Sequence, residues 1–175
     1  MLLPSIPRMR PPSAVLRHTV SIVSILAYFA TFPTYFRLSA SFRHQATAAI
    51  LFSFPGTLTR YVLSVTLNPR LKILPLGTLV ANEFGTSLLA LFHVLQGSKH
   101  IVSPGACSIL QGLGDGYCGC LTTVSTFAAE LSVLGVRKRW LYGTISIVAG
   151  QVLMVLILGS TLWTGNASAR MSCTF

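Results

Sequence analysis

Five apolar blocks of helical length run along this chain, each closed by charged or turn-forming residues. Residues 19–36 carry no charge over 18 positions between Arg17 and Arg37, the lower limit for a spanning helix, with Pro33 near the end. Residues 45–67 form a second block, interrupted by Pro55, Gly56 and Arg60 and closed by a turn at Asn68, Pro69 and Arg70. An arginine at that depth is costly in lipid, so Arg60 is expected to face protein or water. Residues 73–96 follow, with Asn82 and Glu83 near the middle and Gly77 and Gly85 allowing close helix contact. Residues 101–134 are the fourth block. Residues 140–163 are the fifth, 24 uncharged-side-chain positions long, and Trp140 and Trp163 stand roughly 35 Å apart on such a helix, near the two bilayer interfaces.

Composition agrees with a bilayer as the main solvent. Of 175 residues, 52% are hydrophobic and 9% charged, against roughly 25% charged in a soluble domain. The three acids, Glu83, Asp115 and Glu130, all lie inside or beside apolar blocks. A net charge of +10 raises the possibility of nucleic acid, but the 13 Lys and Arg are spread thinly at block ends rather than clustered. That placement suits loops facing anionic lipid. Eight basic residues (Arg8, Arg10, Arg17, Arg70, Lys72, Arg137, Lys138, Arg139) fall on one side, and four (Arg37, Arg43, Lys99, Arg170) on the other, which puts the N-terminus in the cytosol. Residues 1–18, with four prolines and three arginines, read as a disordered cytosolic lead. The tail then lies outside, where Asn166-Ala-Ser168 is a glycosylation sequon too close to the membrane to carry weight. Cys107, Cys118, Cys120 and Cys173 have no histidine at ligand spacing and are read as small packing residues.

The fourth block holds the candidate chemistry. From Gly112 it reads GLGDGYCGCLTTVSTFAAEL, four glycines in eight residues followed by Thr122, Thr123, Ser125 and Thr126. Isolated residues of these types permit tight helix packing and bond back to carbonyls one turn earlier. At this density, with Asp115 and Glu130 flanking, a broken helix lining a polar path or an ion site accounts for them better. The glycines have no preceding strand and no lysine followed by Ser or Thr, so a nucleotide loop is excluded. Asn82 carries two N–H donors that can replace the hydration of a small anion, or it makes a helix-to-helix hydrogen bond. Phe127 and Tyr117 are core aromatics by default, although a phenyl edge can also face an anion. His93 and His100 show no partner spacing. No nucleophile elbow, paired carboxylates or metal-ligand cluster appears, so an enzyme is not expected.

Three segments resemble the CrcB/Fluc fluoride channel family in order: Pro55 to Tyr61 (PGTLTRY), Gly77 to Asn82 (GTLVAN), and Asp115 to Phe127 (DGYCGCLTTVSTF), with Tyr142 to Ser146 (YGTIS) like the start of that family's last helix. The wording is most similar to the second half of fungal fluoride exporters. The resemblance implies an all-α integral membrane protein: a linking helix and loop over residues 19–43, then a four-helix channel unit over 44–164 whose third helix is broken, and a tail from 165.

The resemblance also implies sites and partners. Backbone carbonyls of Gly119 and Thr122 would bind a structural sodium ion at the interface with a second, inverted four-helix domain, either a second copy or a separate first half. Asn82 and the edge of Phe127 would line the fluoride path, continued by Ser125, Thr126, Tyr142 and Ser146. Arg60 would stand near a vestibule, and Glu130 would be a buried acid beside the pore. Val124 occupies a position where the family commonly has phenylalanine. The implied function is passive export of fluoride, with the plasma membrane as the expected location. The competing readings are a non-conducting structural subunit or truncated remnant, and an ion-coupled carrier of another small solute.

Overall fold

A computed structural model describes residues 13–37, 47–71, 74–98 and 103–165. The lead up to residue 12, Arg43, Lys72, Lys99, His100, Arg170 and the sequon at Asn166 lie outside these described residues. The described chain is helical almost throughout. Four helices in it are long and apolar enough to cross a membrane, and the fourth apolar block of the sequence is divided into two shorter helical stretches.

Helix α1, Ala14–Arg37, begins earlier than the charge pattern implied and takes in Arg17 and His18, so the end of the expected lead is helical. Its large apolar side chains are exposed, as lipid-facing residues must be. Helix α2, Ala48–Leu67, ends in a 3-10 turn, Asn68–Arg70, and is not interrupted at Pro55 as expected. A proline has no N–H for the carbonyl four residues back, here that of Leu51. The Tyr28 hydroxyl of α1 donates to that carbonyl at 2.6 Å, which latches α1 onto α2 where the ladder is open.

Helix α3, Leu76–Gln96, starts behind Pro75, and the Asn68 side chain accepts from the Gly77 N–H at 2.6 Å, satisfying one of the donors exposed at a helix start. Helix α4, Pro104–Gly112, opens with proline in its first turn and Ser103 as its cap, the Ser103 hydroxyl accepting from the Ala106 N–H at 3.3 Å. It continues through a π-helical stretch, Leu113–Cys118, and a last turn, Gly119–Leu121. Helix α5, Val124–Val133, follows after a break. Helix α6, Val136–Met154, runs on through Val155–Gly159 and Ser160–Trp163. Between α5 and α6, Arg139 donates to the carbonyls of Leu131, Ser132 and Leu134 at 2.6, 3.1 and 3.2 Å, placing a cation on the closing end of α5.

The break is not where the glycines are. Gly112, Gly114, Gly116 and Gly119 all lie in continuous helical or π-helical backbone, and the chain leaves the helix at Thr122 (φ −76°, ψ 149°) and Thr123 (φ −151°, ψ 124°). The glycines serve packing instead. A Cβ at Gly116 would overlap the Ala49 backbone carbonyl, one at Gly112 would stand 2.6 Å from the Ala49 neighbour Ala48 Cβ, and one at Gly56 of α2 would meet the Tyr117 carbonyl. Bare backbones thus bring α2 and the α4 stack into direct contact. Cys107 is disulfide-bonded, which corrects the expectation that the cysteines only pack, while Cys118 and Cys120 are free.

Candidate functional site

The break is held open by a side chain. Asn82 Oδ1 accepts from the Thr123 N–H at 2.8 Å while its Nδ2 donates to the Thr123 carbonyl at 3.3 Å. The carboxamide imitates one rung of a strand ladder, and because the peptide N–H can only donate, the orientation of the amide follows. Thr123 then caps α5, its hydroxyl accepting from the Thr126 N–H at 3.3 Å and standing 3.3 Å from Ser125 Oγ and 3.2 Å from Thr126 Oγ1.

Two carbonyls lose their helical donors by this arrangement. In an unbroken helix the Thr123 N–H would bond to the Gly119 carbonyl and the Thr126 N–H to that of Thr122. Asn82 takes the first donor, and the Thr123 hydroxyl takes the second. Gly119 is moreover open on its Cα side, with nothing within 4 Å of a Cβ placed there.

A second polar knot lies one turn further along α5. Glu130 accepts from the Thr78 hydroxyl at 2.6 Å and from the Tyr142 hydroxyl at 2.9 Å, tying α3, α5 and α6 together. Tyr142 is fully buried, and the Phe127 ring meets it edge-on at 5.1 Å between centroids. Thr78 and Asn82 are four residues apart on α3 and so share a face.

An open cavity of about 800 Å³ runs beside the break, with Asn82, Gly119, Thr122, Phe127 and Ser146 in its wall. Of the sequence-predicted residues, these five converge there. Ser125 and Thr126 sit at the first turn of α5 around the Thr123 hydroxyl, whereas Tyr142 and Glu130 lie behind Phe127 and do not line the cavity. Arg60, half-buried on α2, stands apart from it. Sequence reasoning missed Thr78, and it noted Thr123 and Glu83 without giving either a role of its own. The four-residue spacing of Thr78 to Asn82 was the available signal for the first.

The family model described as CrcB-like protein, Camphor Resistance (CrcB), matches residues 47–160. Among curated proteins the chain is 46% identical over 125 residues to fluoride export protein 1 of Neurospora crassa, covering 70% of this chain and 23% of that protein. It is 33% identical over 172 residues to fluoride export protein 1 of Saccharomyces cerevisiae, covering 90% of this chain and 46% of the other. The fluoride-specific ion channel FluC of Dechloromonas aromatica is 36% identical over 116 residues, which cover 62% of this chain and 84% of that one. The chain therefore spans less than half the length of the two fungal relatives and most of the bacterial one.

Proposed function

The chain belongs to the CrcB-like family, and we propose that it is the second half of a fluoride-selective passive export channel. The observation that carries this reading is the Asn82 pairing at the break. One N–H of the carboxamide is used on Thr123, and the other is left for the cavity that Asn82 lines. With the Phe127 edge and the Ser146 hydroxyl on the same wall, it supplies donors able to replace part of the hydration of a small anion. Hydrogen fluoride enters a cell by diffusion, ionises, and the anion leaves through the path under a negative membrane potential.

The carbonyls of Gly119 and Thr122, whose helical donors bond elsewhere, fit a hard cation that takes oxygen ligands, and a sodium ion there would add positive charge beside the anion path. The open cavity is where a second, inverted four-helix domain would cross the break. Orientation with the N-terminus in the cytosol is supported by Cys107, since it lies in the first turn of α4, on the outer side by the count of basic residues, where disulfides persist. The plasma membrane is the location such an exporter requires.

Val124 favours a second reading, a non-conducting partner subunit: its side chain is 81% exposed at the position where the family commonly has a pore phenylalanine. Reconstituting the purified chain into liposomes, alone and with a first half, and recording fluoride efflux decides between them. Efflux that requires the first half and excludes chloride is expected. Absence of efflux in both arms would sink the channel reading.

A further inference from the structure

Among the described residues, two buried side-chain atoms have no hydrogen-bond partner, Glu83 Oε2 and Ser146 Oγ. Both side chains line the cavity that contains Asn82. Orphaned polar atoms are costly in any interior and more so at membrane depth, so two in one wall call for an occupant that the side chains turn outward to meet, neither atom being open to water as it stands.

Helix α6 shows how Glu83 reaches this place. Tyr142, Ser146 and Gly150 recur every four residues and share one face, polar at the first two positions and bare at the third. A Cβ at Gly150 would stand 3.5 Å from Glu83 Oε2 and 3.9 Å from Oε1. The carboxyl group of Glu83, arriving from α3, lies over the glycine and supplies the third polar position of the stripe.

Charge decides the form in which that position is useful to an anion. Among the described residues, no lysine or arginine lines the cavity. The titratable groups facing it are His93 on α3 itself and Asp115 and Cys118 on the α4 stack, while α5 and α6 contribute none. An ionised Glu83 would repel fluoride, whereas a proton-bearing Glu83 presents an O–H donor to it.

We propose that Glu83 is a further fluoride-binding residue, a proton-bearing station that extends the path outward from Asn82 and Ser146 across Gly150. The assignment rests on the fluoride-channel reading. It requires permeation to fall as pH rises, since loss of the proton removes a donor and leaves a negative charge in its place.

The test uses the full chain with its first half in liposomes. Fluoride efflux is recorded across a range of pH for the unaltered protein, E83Q and E83A. E83Q, which cannot ionise, is expected to flatten the pH profile, and E83A to lower efflux about tenfold at low pH, where Glu83 carries its proton, and to show no fall as pH rises. A pH profile in E83Q that matches the unaltered protein overturns the assignment to Glu83 while leaving the channel reading intact.

Infrared difference spectra on adding sodium fluoride give a readout that needs no flux. A protonated-carboxyl carbonyl band that shifts with fluoride and disappears in E83Q supports the proposal, whether or not the liposomes conduct. Absence of such a band, or its persistence in E83Q, where Asp115 or Glu130 would be its source, overturns it.

Discussion

The fourth span changes its means of attachment halfway along. Up to Leu121 it is held by backbone lying on backbone: Gly116 against Ala49, Gly112 against Ala48, and Tyr117 against Gly56. From Thr122 onward it is held by side chains reaching across, Asn82 to Thr123, Thr78 and Tyr142 to Glu130. The first region fixes where the span sits mainly by backbone contact, with side-chain bonds from the Tyr117 hydroxyl to Thr59 of α2 and from the Gln96 amide to Gln111. The second region turns the chain out of the helix at Thr122 and Thr123, both of which line the cavity. Glycine density and hydroxyl density, adjacent in sequence, are thus separate devices.

The contrast breaks most directly at Gly116. A valine there would drive its side chain into the Ala49 carbonyl, which is backbone and cannot rotate away. The cost should reach the upper end of overpacking, about 3 kcal/mol, enough to remove most folded protein. Gly119→Ala, in the same helical stack but open toward the cavity, should leave the fold intact. Size-exclusion profiles of detergent-extracted protein compare the two. If Gly116→Val elutes as a single sharp species like Gly119→Ala, the packing role of the glycines is wrong.

The polar region is next in size of effect. Asn82→Ala leaves the Thr123 N–H and carbonyl without partners, a loss of about 1–3 kcal/mol, and should reduce fluoride efflux about tenfold or more. Asn82→Asp retains an acceptor for the Thr123 N–H but no donor. It should recover part of the melting temperature and little of the efflux. Equal recovery of both would mean that Asn82 acts only by positioning the break.

How far this contrast was legible beforehand depends on range. Block lengths and bracketing charges are local, and they predicted helix ends such as Gln96 and Trp163 well. The existence of a break in the fourth span was legible from composition, but not its place. Glycine is permissive rather than obligate in leaving a helix, and here tight contact with α2 holds Gly112 and Gly116 in helical backbone. What turns the chain at Thr122 and Thr123 is a hydrogen bond from a residue about forty positions earlier, Asn82, which no local pattern displays. Glu83 was hidden for a similar reason. Its place in the cavity depends on a missing side chain at Gly150, on another helix.

Tyr142 permits a finer division within the polar region. Tyr142→Phe keeps the ring against Phe127 but removes one of the two donors to Glu130. The expected loss is about 1 kcal/mol, seen as a modest fall in melting temperature. A larger relative fall in efflux would show that orientation of Glu130 matters to the path beyond its share in stability. Thr78→Val, which removes the other donor, should match it in stability.

The smallest effect is expected farthest from the break, at the contact of α1 with α2. Tyr28→Phe takes the donor from the Leu51 carbonyl that Pro55 leaves open, while the ring can keep its place beside Phe54 at 5.5 Å between centroids. Membrane hydrogen bonds average only about 0.6 kcal/mol, so the melting temperature should fall slightly and efflux should not change. Combining it with Pro55→Ala tests the cause, because an alanine restores the N–H that the Leu51 carbonyl lacks. In that background the Tyr28→Phe loss should shrink toward zero. A loss of the same size with and without Pro55 would show that the hydroxyl stabilises the helix pair by something other than filling the gap in the ladder.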